Sequence, residues 1–254
     1  MIDIHCHIVP EVDDGPKSIE ESMALARLAV SESIHTIIAT PHHNSTYTNE
    51  RSTIIPAVES LNEALRKEGI DLTIVPGQEP RIFGEIIEAI QHGEILTLND
   101  KNKYFFIELP FDQVPRYTEK LIYNAQLQGV APIIVHPERN AELLERPELL
   151  YRLVKNGAIT QVTTSSITGH FGKKIKKFTE EMIEADLAHL VASDAHNTSS
   201  RAFRMEESFS IIEKKYGLSL ITQWRENAAL VLEGKHVYME PPKRIKQKKW
   251  LGLF

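Results

Sequence analysis

Short apolar runs rich in β-branched and aromatic residues recur along the chain, each followed by a segment whose apolar positions have helical spacing. The runs IDIHCH (2–7), HTIIAT (35–40), LTIVPG (72–77), YFFIEL (104–109), APIIVH (131–136), AITQVT (158–163) and AHLVAS (188–193) read as seven strands. Between them lie SIEESMALARLAVSES, IIPAVESLNEALRKEG, IFGEIIEAIQ, YTEKLIYNAQLQG, ELLYRLVKNG, KKIKKFTEEMIEAD and EESFSIIEKKYG, which read as amphipathic helices. In the first of these Ser18 and Glu21 fit an S-x-x-E capping box, and Met23, Leu25, Ala26 and Leu28 supply the apolar stripe. Gly69, Gly129, Gly157 and Gly217 fall where helices should stop, and the assigned elements end there.

Strand and helix alternating this regularly predict a parallel sheet with helical crossovers. Seven units fit a closed α/β barrel of the TIM type, one unit short of eight, better than an open doubly wound sheet. One domain is expected over residues 1–240, with no internal repeat and no linker. It should be followed by a flexible basic tail at 241–254, PPKRIKQKKWLGLF.

With 42% hydrophobic and 25% charged residues the chain has the apolar material for a sizeable core. A formal charge of -6 supplies no overall attraction to a polyphosphate, so no nucleic-acid partner is expected. A single cysteine cannot form an internal disulfide, and the cytoplasm is the expected compartment. No stretch of about 18 apolar residues suggests a membrane span. The opening reads as mature protein, since almost any N-terminal cleavage would remove His5.

The chemistry collects at the strand ends. In a strand His5 and His7 share one face, with Ile2, Ile4, Cys6 and Ile8 on the other, which makes a rigid pair of imidazoles. Just after the remaining strands come His42, Glu79, Glu108, His136, and Asp194 with His196; the loop after the first strand adds Asp14. Only the sixth strand end, VTTSSITGHFG, carries no obvious ligand type. A lone histidine or glutamate near a strand end is usually a satisfied loop residue. Nine in register with a barrel period, all opening onto one face, point instead to a polynuclear metal site, because desolvating them together without cations would be very costly. The set is nitrogen and oxygen with no thiolate, which suits manganese, iron, zinc or cobalt. His35, His43, His92, His170, His189 and His236 read as structural or solvent-facing, and Cys6 as a small packed side chain. The pair HC also opens the H-C-x5-R loop of cysteine-dependent tyrosine phosphatases, but that loop needs arginine where this chain has Val12.

The order H-x-H, then His, Glu, His and D-x-H, resembles the PHP (polymerase and histidinol phosphatase) superfamily. More narrowly, DIHCHIVPEVDDGP, TPHH, PGQE, FIELP, VHPERN and ASDAHN resemble the CpsB/CapC family of bacterial manganese-dependent tyrosine-protein phosphatases, over residues 1 to about 235. The resemblance implies a distorted (β/α)7 barrel of the PHP type holding three divalent metal ions, most often manganese. Carried over by position, one metal falls to His5, His7, Glu79 and Asp194. A second falls to Glu79 as a bridge with Glu108 and His136, and a third to Asp14, His42 and His196. Arg139 and Arg201 match family arginines that hold the phosphate. Two departures beside the site are the threonines of QVTTSS and Pro80 in GQEP.

The implied reaction is attack of a metal-bridging hydroxide on the phosphorus of phosphotyrosine. The implied substrate is a bacterial tyrosine kinase or its targets, in control of capsule or exopolysaccharide synthesis. The alternative in the same superfamily is a small-molecule phosphatase such as histidinol-phosphate phosphatase, which needs a closed pocket. The tail invites docking on an acidic kinase segment or an anionic membrane surface, with a solvated terminus as the plain alternative. The chain is not expected to be an integral membrane protein, and its oligomeric state, homo-oligomer or monomer, is open at this point.

Overall fold

A computed structural model describes residues 1–246, so residues 247–254 of the basic tail lie outside the described residues. In chain order the strands are β1 Ile2–Cys6, β2 Thr36–Ala39, β3 His42–His43, β4 Thr73–Pro76, β5 Glu79–Pro80, β6 Tyr104–Ile107, β7 Ala131–Val135, β8 Ile159–Thr163 and β9 Leu190–Ala192. The helices are α1 Ile19–Ser31, α2 Arg51–Lys67, α3 Ile86–Gln91, α4 Thr118–Leu127, α5 Ala141–Glu145, α6 Pro147–Lys155, α7 Thr164–Thr168, α8 Lys173–Glu184, α9 Met205–Tyr216 and α10 Leu218–Glu233. All seven predicted strands are present.

The strands pair in parallel as three sheets, β1-β2-β4, β3-β5 and β6-β7-β8-β9, and no closed sheet is formed among the described residues. The ladders are cut by residues that cannot sustain them. Pro41, Pro76 and Pro80 bring no N–H to a ladder. Pro41 separates β2 from β3, while Gly77 and Gln78 separate β4 from β5. A Cβ on Gly77 would lie 2.7 Å from Ile38 Cγ2, so the chain passes there only as glycine. Single parallel bridges stitch the sheets at their C-terminal ends, Cys6 to Ala195 and Arg81 to Glu108. The first carries His7 N–H to Ala195 O and Asp194 N–H to His5 O, both 2.9 Å.

The simple alternation expected for β1 breaks. Its pairing with β2 slips between Asp3 and Cys6, the signature of a bulge. Ile4 accordingly packs in a cluster with Ile38, Phe106, Ile133, Ile159 and Leu190, where side chains of the three- and four-stranded sheets meet. Cys6 and Ile8 pack instead in the larger cluster that takes the helices, with Leu25, Phe105, Leu150 and Trp224 among its members.

The capping box of α1 forms in altered geometry. Ser18 Oγ accepts from Glu21 N–H at 3.4 Å, while Glu21 Oε2 accepts from Lys17 N–H, one residue before the cap, at 2.7 Å. Helix α10 was not anticipated, although its buried Ile221, Trp224, Ala228 and Val231 repeat at helical spacing. It closes one end of the inner cluster with Ala228 and Val231 and is tied to the start of β9 by Trp224 Nε1 donating to Ala188 O at 3.0 Å. The described part of the tail lies on the body: Lys243 pairs with Asp186 at 2.7 Å and Arg244 with Glu148.

Candidate metal centre

The strand ends deliver their side chains to one place. β1 supplies His5, and His7 follows its last residue; β3 and β5 pair so that His42 and Glu79 are register partners. Glu108 and His136 follow β6 and β7, and Asp194 and His196 follow β9. Strand β7 ends because His136 turns into the left-handed region at φ 35°, and Asp194 does the same at φ 54°. Histidine and aspartate tolerate that region better than branched residues do.

Glu79 is at the centre. Its Oε1 lies 2.9 Å from His136 Nε2 and 3.4 Å from His5 Nε2. Its Oε2 lies 2.8 Å from His42 Nδ1 and 3.2 Å from His7 Nε2. Asp194 Oδ1 is 3.5 Å from His5 Nε2 and 3.4 Å from His7 Nε2. At the outer side Asp14 Oδ1 lies 3.1 Å from His196 Nε2 and 3.4 Å from His42 Nε2. All nine residues predicted from sequence as ligands thus converge. Three overlapping groups have donor atoms within 4.8 Å of one another: His5, His7 and Glu79; His42, Glu79 and Glu108; and His7, Asp14, His42 and His196. Both predicted arginines border the cluster through Asp194, Arg139 Nη1 at 2.6 Å and Arg201 Nη2 at 3.1 Å; Arg201 Nη1 also reaches Asp14 at 3.1 Å.

These residues fit divalent cations. His42 Nδ1, Glu79 Oε2, Glu108 Oε2 and His196 Nε2 are buried without a hydrogen bond among the described residues. His42 Nδ1 and Glu79 Oε2 are 2.8 Å apart yet outside hydrogen-bond alignment, so bare donor atoms face one another. The electrostatics of the metal-free centre agree. Burial opposes charge on His5, but Glu79 and Asp194 outweigh it and hold its pKa above the usual imidazole value. His7 is held higher still: burial opposes, and Asp13 first, then Asp194 and Glu79, prevail. Glu108 is pushed up to about 7 by burial and by Glu79. The centre thus draws protons onto itself where metal cations would balance the carboxylates. His136 and His196 are pushed down to about 4, mainly by burial and then by Arg139 and His7 respectively, which leaves neutral donors.

Four contributors escaped the sequence reading. Asp13 Oδ2 takes a 2.6 Å bond from His7 Nδ1 and a 3.1 Å bond from His42 N–H, while its Oδ1 accepts from Gly15 N–H at 2.9 Å. Gln161 Oε1 lies 2.8 Å from His5 Nδ1. Both partners turn the opposite ring nitrogen, Nε2, toward the cluster. Glu138 uses the sixth strand end: its Oε1 accepts from Thr163 N–H at 2.8 Å and from Ser166 Oγ at 2.7 Å. That anchors the turn carrying His136 and Arg139. Arg81 Nη2 is 3.1 Å from Glu108 Oε1. A glutamine between Ile159 and Val162, in a segment that reads as a strand, was the one local signal available.

Cys6 is free and buried, its Sγ 3.4 Å from Ala195 O. His43 Nδ1 is bonded to Asn49 O at 2.6 Å, and His189 is buried. No helix among the described residues is long and apolar enough to cross a membrane.

Residues 1–233 match the family described as capsular polysaccharide synthesis, CpsB/CapC. The chain is 48% identical over 255 residues to the tyrosine-protein phosphatase YwqE of Bacillus subtilis (strain 168), covering 100% of both. It is 40% identical over 257 residues to the putative tyrosine-protein phosphatase CapC of Staphylococcus aureus, again covering 100% of both. A solved structure from work on YwqE of Bacillus subtilis and CpsB of Streptococcus pneumoniae, described as unique metal-dependent tyrosine phosphatases, superposes with a TM-score of 0.95 at 48% identity. The match covers 97% of this chain and 100% of that one.

Proposed function

The chain belongs to the CpsB/CapC capsular polysaccharide synthesis family, and from that premise we propose that it is a metal-dependent protein-tyrosine phosphatase. The observation that carries the proposal is the set of bare, buried donor atoms on His42, Glu79, Glu108 and His196, bordered by two arginines that converge on Asp194.

Three divalent ions, manganese first, with iron, zinc or cobalt as substitutes, are assigned to His5, His7, Glu79 and Asp194; to Glu79, Glu108 and His136; and to Asp14, His42 and His196. The overlapping donor groups support this, since each assigned set shares at least two members with one of them. Such ions, when bound, supply Lewis acidity and activate water for in-line displacement at phosphorus. The chain's own groups do the rest. Arg139 and Arg201 would hold the phosphoryl oxygens with their planar forks, and the contacts of both to Asp194 keep them at one edge of the cluster. The leaving phenoxide has a conjugate acid of pKa about 10, far below that of an alkyl alcohol, so its expulsion depends less on a dedicated general acid.

The site is open rather than enclosed: Asp14 is 41% exposed and Arg201 30%. That suits a phosphotyrosine presented on a protein better than a small phosphorylated amine. We place the protein in the cytoplasm; its single cysteine, Cys6, calls for no oxidising compartment. Its substrate is a tyrosine-phosphorylated bacterial kinase or that kinase's targets, in control of capsule or exopolysaccharide synthesis. The three sheets are read as arcs of one distorted seven-unit barrel spanning residues 1–240, supported by the bridges between them and by the shared inner cluster.

The test is phosphate release from a phosphotyrosine peptide, and from histidinol phosphate in parallel, by chelator-stripped protein titrated with manganese. Turnover of the peptide that appears only with metal is expected. Turnover of histidinol phosphate alone would move the chain to the small-molecule branch.

A further inference from the structure

Phe111 is 58% exposed, although it lies beside the buried centre. A scattered exposed phenylalanine is ordinary on a protein surface. This one is held in place. Ala141 N–H donates to Phe111 O at 2.8 Å, and Asn140 Nδ2 donates to Pro110 O at 2.6 Å and to Gln113 O at 3.0 Å. Val114 N–H adds a 2.8 Å bond to Glu142 Oε2. The segment after β6 is therefore clamped to the residues that directly follow Arg139.

The ring's neighbours are the guanidinium groups of the site. Arg139 lies 5.9 Å and Arg81 5.6 Å from its centroid. Each of those arginines touches a carboxylate of the cluster, Asp194 and Glu108 respectively. On its other flank Arg139 meets the half-buried Phe171, at 5.1 Å from that ring's centroid. Aromatic rings favour offset or edge contact with one another as well as cations on their faces. A phosphate held by Arg139 would put the group esterified to it next to an apolar, aromatic, pre-positioned wall.

We propose that Phe111 is the specificity-determining wall of the site, packing on the aromatic ring of a phosphorylated aryl alcohol and so favouring aryl over alkyl phosphate esters. The inference rests on the phosphatase reading above and adds to it the residue that selects the ester. Phe111 acts by positioning and takes no part in the bond changes.

The test uses manganese-loaded full-length protein with Phe111→Ala, Phe111→Leu and Phe111→Tyr. The substrates are a phosphotyrosine peptide and the phosphoserine peptide of the same sequence, the latter scored as competitor where its turnover is slow. Losing one aromatic contact should raise KM for the phosphotyrosine peptide about five- to tenfold in Phe111→Ala, with kcat held within about twofold. Phe111→Tyr should restore the wild-type KM, Phe111→Leu should fall between, and affinity for the phosphoserine peptide should be the same in all. Unchanged KM in Phe111→Ala would overturn the proposal. So would an equal loss on both peptides in all three variants, which would show a structural role for the loop. A wild-type protein without phosphotyrosine turnover would instead remove the phosphatase reading itself, and this inference with it.

Discussion

Asp13→Asn separates the orientation of the cluster from its composition. The carboxylate of Asp13 is buried and accepts three hydrogen bonds, from His7 Nδ1, His42 N–H and Gly15 N–H. Burial works against its charge, but His7 overcomes it and holds the carboxyl down to about 2. Asparagine keeps the shape but replaces one oxygen with an NH2. If that NH2 takes the Oδ1 place it faces Gly15 N–H, and one buried donor loses its acceptor, costing about 1–3 kcal/mol of stability. If it takes the Oδ2 place it faces both His7 and His42, and His7 is driven to the tautomer whose Nε2 carries a proton where the cluster needs a lone pair. Either way the charged acceptor that fixes His7 is gone. Loss of such a carboxylate partner typically weakens metal affinity about 10- to 100-fold, equivalent to about 1.4–2.7 kcal/mol. Manganese binding by competition with a chromogenic chelator, alongside urea unfolding of the stripped protein, reads the two effects separately. The expected result is weakened binding with turnover largely recovered at saturating manganese. Wild-type manganese affinity in a folded Asp13→Asn protein would refute the argument that Asp13 sets the ring of His7.

Arg139→Lys keeps a positive charge but loses the planar fork that bonds Asp194 at 2.6 Å and lies between Phe111 and Phe171. A hydrogen bond to a charged group contributes roughly 1.5–3 kcal/mol, so kcat/KM for a phosphotyrosine peptide should fall about 10- to 100-fold; a value within twofold of wild type would show that charge alone suffices. His189 predicts an acid sensitivity away from the metal centre. Its Nδ1 accepts from Thr160 N–H at 3.1 Å, and burial pushes its pKa down to about 4 from an ordinary 6.5. The unfolded chain therefore binds more protons than the folded one between those values, and stability falls as pH drops from 6.5 toward 4, by about 1.4 kcal/mol per pH unit where the difference is one full proton. Urea midpoints between pH 7.5 and 5.0 should drop less in His189→Gln, whose amide oxygen can take the Thr160 bond; parallel pH profiles would show that His189 does not carry the effect.

What the sequence disclosed and what it hid follow from the range of each interaction. The seven strands were legible because β-branched and aromatic residues announce a buried strand locally, and the convergence of the candidate ligands was legible because parallel strands bring their C-terminal ends together whatever the loops do. The bulge in β1 was not legible: its alternation of apolar and polar residues is regular, and only the pairing with β2 shows the slip between Asp3 and Cys6. The break between β2 and β3 had a signal in Pro41, whose ring removes a ladder donor, yet it took the neighbouring strand to show that His42 still pairs in register with Glu79. Helix α10 carries its own signal in the helical spacing of Ile221, Trp224, Ala228 and Val231.

The supporting shell was the hardest part to read, for a physical reason. A metal ligand reveals itself by residue type at a strand end, whereas an orienting group needs only one polar atom at hydrogen-bond distance and can come from anywhere. Asp13 stands beside the candidate ligand Asp14 yet turns inward to His7; Gln161 acts across 156 residues of chain, and Glu138 binds Thr163 and Ser166 rather than the cluster. These three bear on His7, His5 and the His136–Arg139 turn, so they set the aim of side chains that the strand ends had already marked as candidates. The cluster's composition is thus written in the strand ends, and its aim in contacts that only the folded chain creates.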